Sequence, residues 1–209
     1  MTLQVGATAA DFTVESTSGT IRFYEWLGTG WCLLLVHKPH SPTCTTEVLA
    51  LHDLLPSFEV RRTRVLSVAS ESLAQQATWL EDLREFLGTP PGFAIAADDS
   101  LEMARAYDLL EPRAGSTALV RAALLIGPDR IVRATLTYPN TSGRNFREVL
   151  RLIDSCQITA ARKVATPSDW QPRDAVMLPP SLAQQDAEKA YPRGVRVVRP
   201  YLRFVSDPE

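Results

Sequence analysis

The chain has 209 residues, 45% of them hydrophobic and 22% charged, with a net charge of −2. This is ordinary globular composition, with apolar material for a full core and no basic run that asks for nucleic acid or an anionic membrane. Cys32, Cys44 and Cys156 form neither a disulfide framework nor a C-x-x-C pair for a metal. The expectation is therefore a cytoplasmic protein without metal or cofactor, since the N-terminus carries no signal-peptide pattern and no apolar run reaches membrane-spanning length.

Residues 11–14 read as a short strand, followed by the turn Ser16-Thr17-Ser18-Gly19. Residues 21–27 lead to a second turn, Gly28-Thr29-Gly30. The uninterrupted apolar run 32–36 reads as a strand buried on both faces. Ser41-Pro42 is a helix start, with Ser as N-cap and Pro as the first helical residue. Cys44 then falls in the first turn, where unpaired N–H groups and the positive end of the helix dipole favour a thiolate. That helix is expected over 43–58, with Val48, Leu49, Leu51, Leu54, Leu55 and Phe58 on its apolar side.

Residues 64–69 predict another buried strand, and 72–86 a helix with Leu73, Ala77, Leu80, Leu83 and Phe86 facing inward. A strand over 93–97 and a short helix over 101–110 follow. Residues 118–126 read as a strand interrupted by one charge, Arg121. The turn Gly127-Pro128-Asp129-Arg130 returns the chain into a partner strand over 131–137, and a helix covers 145–155. Strand–helix alternation ending in a hairpin and a helix suits the α/β class, with a mixed sheet between helices in the thioredoxin-like arrangement. This domain is expected to span residues 1–160. Periodicity fades after about Thr159, so residues 161–209 form a small α+β extension. A helix over 181–190 and a strand pair over 195–198 and 201–205 are its only regular parts. It is expected to be too small for a core of its own.

Cys44-Thr45-Thr46-Glu47, Ile21-Arg22-Phe23, Trp31, Gly127-Pro128-Asp129 and Tyr138-Pro139 occur together. So do Gly143-Arg144-Asn145-Phe146, Lys163-Val164-Ala165-Thr166-Pro167 with Asp169-Trp170, Pro192-Arg193-Gly194-Val195 and Tyr201-Leu202-Arg203. With these motifs the sequence resembles the one-cysteine peroxiredoxins, of the peroxiredoxin-6 type, over nearly its whole length. The resemblance implies an enzyme that reduces hydrogen peroxide and organic hydroperoxides through one cysteine, which becomes a sulfenic acid and is reduced by an external thiol. It implies Cys44 as the attacking thiolate, Ser41 and Arg121 as catalytic partners, Glu47 and Arg144 as supporting residues, and a homodimer with no cofactor. A nearby guanidinium suits this chemistry, because it favours the thiolate and steadies charge on the leaving oxygen.

The chain departs from the family pattern in its catalytic loop. His37 lies seven residues before Cys44, where the pattern has proline, and Pro39 lies five before. This reads as a one-residue deletion, with His37 matching the family's histidine and His40 replacing an aromatic. The loop that shields the thiolate must then be rearranged. Some relatives carry a phospholipase activity on a Ser and a His; this chain has Gly30 and Tyr24 there, so none is expected.

Plainer roles stand beside these. Cys32, in a buried strand, reads as a packing residue, and Cys156 near a helix end has nothing to make it a resolving thiol. Arg121 could serve a structural salt bridge, Arg144 a helix-side ion pair, and Ser41 only a cap. His37 and His40 could be bases, peroxide contacts or loop residues. Two functional alternatives remain at this level: the same scaffold turned to a non-peroxide reaction in small-molecule biosynthesis, or a redox sensor.

Overall fold

The computed structural model describes residues 4–112 and 117–206. The chain divides into two compact units, residues 1–146 and 147–209. The division falls ahead of the expected change near 160, because the helix spanning 146–162 is tied to the tail. Arg151 Nη1 donates to the Trp170 carbonyl at 3.2 Å, and the Ser155 and Thr166 hydroxyls meet at 2.8 Å.

The first unit is built on a seven-stranded sheet. In chain order its elements are β1 (Thr13–Ser16), β2 (Ile21–Arg22), α1 (Phe23–Leu27), β3 (Trp31–Val36), α2 (Pro42–Val60), β4 (Thr63–Ala69) and α3 (Leu73–Leu87). They continue with β5 (Ala94–Ala97), α4 (Glu102–Ala106), β6 (Ala122–Ile126) and β7 (Val132–Thr137). The spatial order is β2-β1-β5-β4-β3-β6-β7. β3, β4 and β5 run parallel, joined by the crossover helices α2 and α3, while β6 lies antiparallel to β3. Every residue of β3, β5 and β6 is buried, as strands covered on both faces require. This is the expected mixed α/β sheet. Cys32 sits inside it, fully buried among Leu34, Leu66, Leu124 and other aliphatic residues of the main core.

Three local expectations need correction. Arg121 does not interrupt a strand: β6 begins one residue later, so the guanidinium leaves from the strand's entry. The short helix α4 stops at Ala106, and Asp108 follows in the left-handed region at φ +50°. The buried face of α3 is Gln76, Trp79 and Leu83, not the purely apolar face; Phe86 is 64% exposed and Ala77 is exposed. Its start is a capping box, in which Ser72 and Gln75 satisfy each other's backbone N–H, and it ends at Gly88 in the left-handed conformation.

The second unit holds α5 (Phe146–Arg162), which begins on the last residue of the first, and β8 (Val176–Met177), α6 (Gln184–Ala190), β9 (Arg196–Arg199) and β10 (Leu202–Val205). The strands form a small antiparallel sheet in the order β8-β10-β9. The expectation that the tail lacks a core is overturned. Val164, Trp170, Val176, Leu178, Ala187 and Val205 are buried together, flanked by Ile158, Leu182, Tyr191 and Val195. Buried Arg203 ties this unit's loops by donating from Nη2 to the carbonyls of Pro179 and Leu182, each at 2.7 Å. A guanidinium thus supplies the order that so few apolar residues cannot.

Candidate active site

The parallel strands β3 and β4 end at one edge of the sheet, the usual place for a site in this class of fold. β3 leads into the five-residue loop 37–41 and then α2. Ser41 is the N-cap: its backbone is extended, and its Oγ accepts from the Cys44 N–H at 3.4 Å. Pro42 opens the helix, where its missing N–H costs nothing. Cys44 is therefore in the first turn as expected, and it is 1% exposed. Pro39 is buried, exposed His40 makes the turn at φ +58°, and the Lys38 N–H donates to Cys44 Sγ at 3.3 Å.

Arg121 reaches the sulfur from the position just before β6. Its Nη1 donates to Cys44 Sγ at 3.0 Å, and its Nε donates to the Ser142 carbonyl at 3.1 Å. Its Nη2 lies 2.7 Å from Glu47 Oε1, an ion pair whose angle misses a hydrogen bond. Glu47, one turn beyond Cys44 on α2, is also gripped by Arg144. Arg144 donates from its backbone N at 2.6 Å and Nε at 3.0 Å to Oε1, and from Nη2 at 2.6 Å to Oε2. Arg144 donates further to the carbonyls of Ala122 and Val36, so it ties α2 to the ends of β3 and β6. Burial resists the charge on Glu47, yet the Arg144 hydrogen bonds and charge outweigh it and hold the carboxyl below its ordinary range. Burial likewise opposes the charge on Arg121, but the Cys44 sulfur and Glu47 raise it above the ordinary guanidinium value.

The structure thus brings five of the six candidate residues, Cys44, Ser41, Arg121, Glu47 and Arg144, into one contiguous network. His37 is set apart from the sulfur. Its Nδ1 accepts from the Ser67 hydroxyl at 2.8 Å, and its Nε2 donates to Gln76 Oε1 at 3.2 Å, an assignment required by the acceptor-only oxygen. Burial is the main cause that lowers it to about 4, and it is neutral at physiological pH. Its ring stacks on Trp79 at 5.0 Å, and Trp79 Nε1 donates to the Thr45 hydroxyl at 2.9 Å. That hydroxyl donates to the Ser41 carbonyl at 3.0 Å. His37 therefore props the first turn of α2 from behind, and both of its nitrogens are engaged elsewhere.

Sequence reasoning passed over Ser67, Gln76, Trp79 and the Lys38 N–H. The one available signal was Gln76 and Trp79 at helical spacing with Leu83, a polar residue on a face that buries. At the phospholipase positions, the Tyr24 hydroxyl donates to the Ala9 carbonyl at 2.6 Å, with the Arg130 guanidinium 4.0 Å over its ring. Among the described residues no cluster of His, Cys, Asp and Glu is arranged to hold a metal ion.

A cysteine at a helix start, hydrogen-bonded by a buried guanidinium on a thioredoxin-like sheet, defines a thiol peroxidase. Residues 5–135 match the AhpC/TSA family, and residues 155–194 match the C-terminal domain of 1-Cys peroxiredoxin. The chain is 36% identical to the 1-Cys peroxiredoxin of Dictyostelium discoideum over 207 residues, covering 99% of this chain and 86% of that one. It is 35% identical to the peroxiredoxin-6 of Gallus gallus, covering 99% of each. Among solved structures, yeast mitochondrial 1-Cys peroxiredoxin superposes with a TM-score of 0.91 at 35% identity, over 98% of this chain and 100% of that one. A cysteine-to-serine mutant of the peroxiredoxin 6 of Arenicola marina gives 0.89 at 34% identity, with 99% of each covered. The chain belongs to the AhpC/TSA family, in its 1-Cys peroxiredoxin branch, and is a thiol-dependent peroxidase. These relatives favour that activity over a repurposed scaffold or a redox sensor.

Proposed function

We propose that Cys44 is the peroxidatic sulfur, with Arg121 and Ser41 as its catalytic partners and Glu47, Arg144 and His37 as supports. The observation that carries this reading is a charge count. Arg121 and Arg144 are buried against the single carboxylate Glu47, with His37 neutral beside them. That leaves one positive charge away from water, and buried charges require partners. A Cys44 thiolate, already accepting from Arg121 at 3.0 Å, supplies the missing negative charge.

The thiolate attacks one peroxide oxygen. An S–O bond forms and the O–O bond breaks; the departing oxygen takes a proton and leaves as water or an alcohol. Arg121 shifts its hydrogen bonding towards the oxygen on which charge grows, and Ser41 keeps the first turn in place while its hydroxyl remains free to donate. Cys44 is left as a sulfenic acid. A thiol then displaces water to form a mixed disulfide, and a second thiol releases the Cys44 thiolate. The yeast relative's thiol is resolved via glutathione/thioredoxin systems. A reductant of that kind suits this chain, because Cys32 is locked in β3. We also infer a two-fold homodimer, the commonest oligomer form, and a reducing cytoplasmic setting consistent with three free cysteines. Sedimentation would report the dimer.

The test of the site is peroxide consumption by the purified protein with a thiol reductant. Cys44→Ser is expected to abolish it without altering the fold; turnover equal to the wild type would overturn the assignment.

A further inference from the structure

A cleft of about 340 Å³ opens beside Arg121, at the ends of β3 and β4. Arg121 itself lines it, is 4% exposed, and keeps Nη2 without a hydrogen bond. That Nη2 pairs with Glu47 at 2.7 Å while Nη1 donates to Cys44 Sγ, so the cleft lined by Arg121 opens beside the reactive sulfur and marks the approach of the peroxide. The remaining walls are largely polar, with Lys38, Ser70, Glu71, Glu111 and Asn140 among them.

Glu71 and Glu111 are both half-buried there. Glu71 accepts only a long 3.4 Å bond from the Ser70 hydroxyl. No ion pair holds either carboxylate among the described residues. Among the described residues Lys38 is the cleft's other charge outside the catalytic network, and it is exposed. Half-buried charges act through less solvent than exposed ones and are screened less by salt. Two such carboxylates therefore outweigh one exposed ammonium, and the approach to Arg121 is electronegative.

We propose that Glu71 and Glu111 are specificity-determining residues: a charge filter that admits neutral hydroperoxides and turns away those bearing a carboxylate. The inference rests on Cys44 as the peroxidatic sulfur. Hydrogen peroxide and alkyl hydroperoxides are uncharged and approach unopposed. A carboxylate-bearing hydroperoxide must bring its charge past both glutamates before its O–O bond reaches the sulfur. The chemical step is unchanged: Cys44 gains the S–OH oxygen and the peroxide leaves as an alcohol.

The experiment compares rates of Cys44 oxidation by cumene hydroperoxide and by its para-carboxylate analogue, which differ little in shape, with hydrogen peroxide as reference. In the wild type the neutral compound should react about tenfold faster at low salt, with the gap narrowing as salt is added. In the Glu71→Gln/Glu111→Gln double variant the two rates should converge. The readout is their ratio, so any general loss of activity cancels. A wild-type ratio near one, or the same ratio in the double variant, would overturn the filter while leaving the peroxidatic role of Cys44 intact. No Cys44 oxidation by hydrogen peroxide itself would overturn both.

Discussion

Cys32 and Cys44 are the same residue type, twelve positions apart, and both are almost wholly removed from water. Their surroundings separate them. Cys32 lies mid-strand among aliphatic side chains, and burial pushes its thiol well up, against a smaller opposing pull from Arg64. Cys44 is enclosed by donors instead: the Lys38 N–H, the Arg121 guanidinium, and a first helical turn capped by Ser41. Depth of burial therefore says nothing about reactivity. What counts is whether the enclosing shell offers an anion compensation for lost water.

The sharpest way to break this contrast is chemical. Hydroperoxide treatment followed by mass spectrometry should find oxygen on Cys44 and none on Cys32. Cys32→Ala should keep turnover while Cys44→Ser loses all of it. The next largest effect comes from the donor. Arg121→Met removes the hydrogen bond to the sulfur, and Cys44 oxidation should slow by about 100- to 1000-fold in stopped-flow measurements. Arg144→Met leaves Glu47 buried with only the Arg121 ion pair and the residue 144 backbone N–H. Unfolding in urea should show a loss of about 3–5 kcal/mol, far more than a surface ion pair would cost.

A smaller effect is expected from pH. His37 is held near 4 in the folded chain against 6.5 when unfolded. Below about 6.5 the unfolded chain takes up a proton that the native state refuses. Stability therefore falls as pH drops from about 6.5 to about 4, and this contribution levels off below that. His37→Gln should flatten that interval, the difference approaching on the order of 3 kcal/mol. The smallest is the Thr45 link. Thr45→Val strands the buried Trp79 N–H and should cost about 1–3 kcal/mol, whereas Thr45→Ser should restore the bond and most of the stability.

Much of this was legible beforehand. The buried strand, the Ser-Pro helix start and the placement of Cys44 in its first turn follow from local rules, because capping and periodicity act within a few residues. The tail's core was not legible. Its members, from Val164 to Val205, are scattered between prolines, and they meet only when β8, β9 and β10 pair. The buried face of α3 was also misjudged, because Gln76 counts as polar in any periodicity even though His37, the Glu71 carbonyl and the Ala96 carbonyl satisfy its amide.

The sequence by itself determined where the nucleophilic sulfur stands on its helix, and through its motifs the family and the identity of the basic partners. Only the tertiary structure decided how the charges balance around that sulfur. Arg121, Arg144 and Glu47 come from separate segments, and electrostatic energy depends on distance through space and on excluded water, neither of which a linear spacing contains. The same reason explains His37: its lone imidazole could be read as a base, and its neutrality comes from burial, which outweighs the opposing pull of the Gln76 hydrogen bond from 39 residues away.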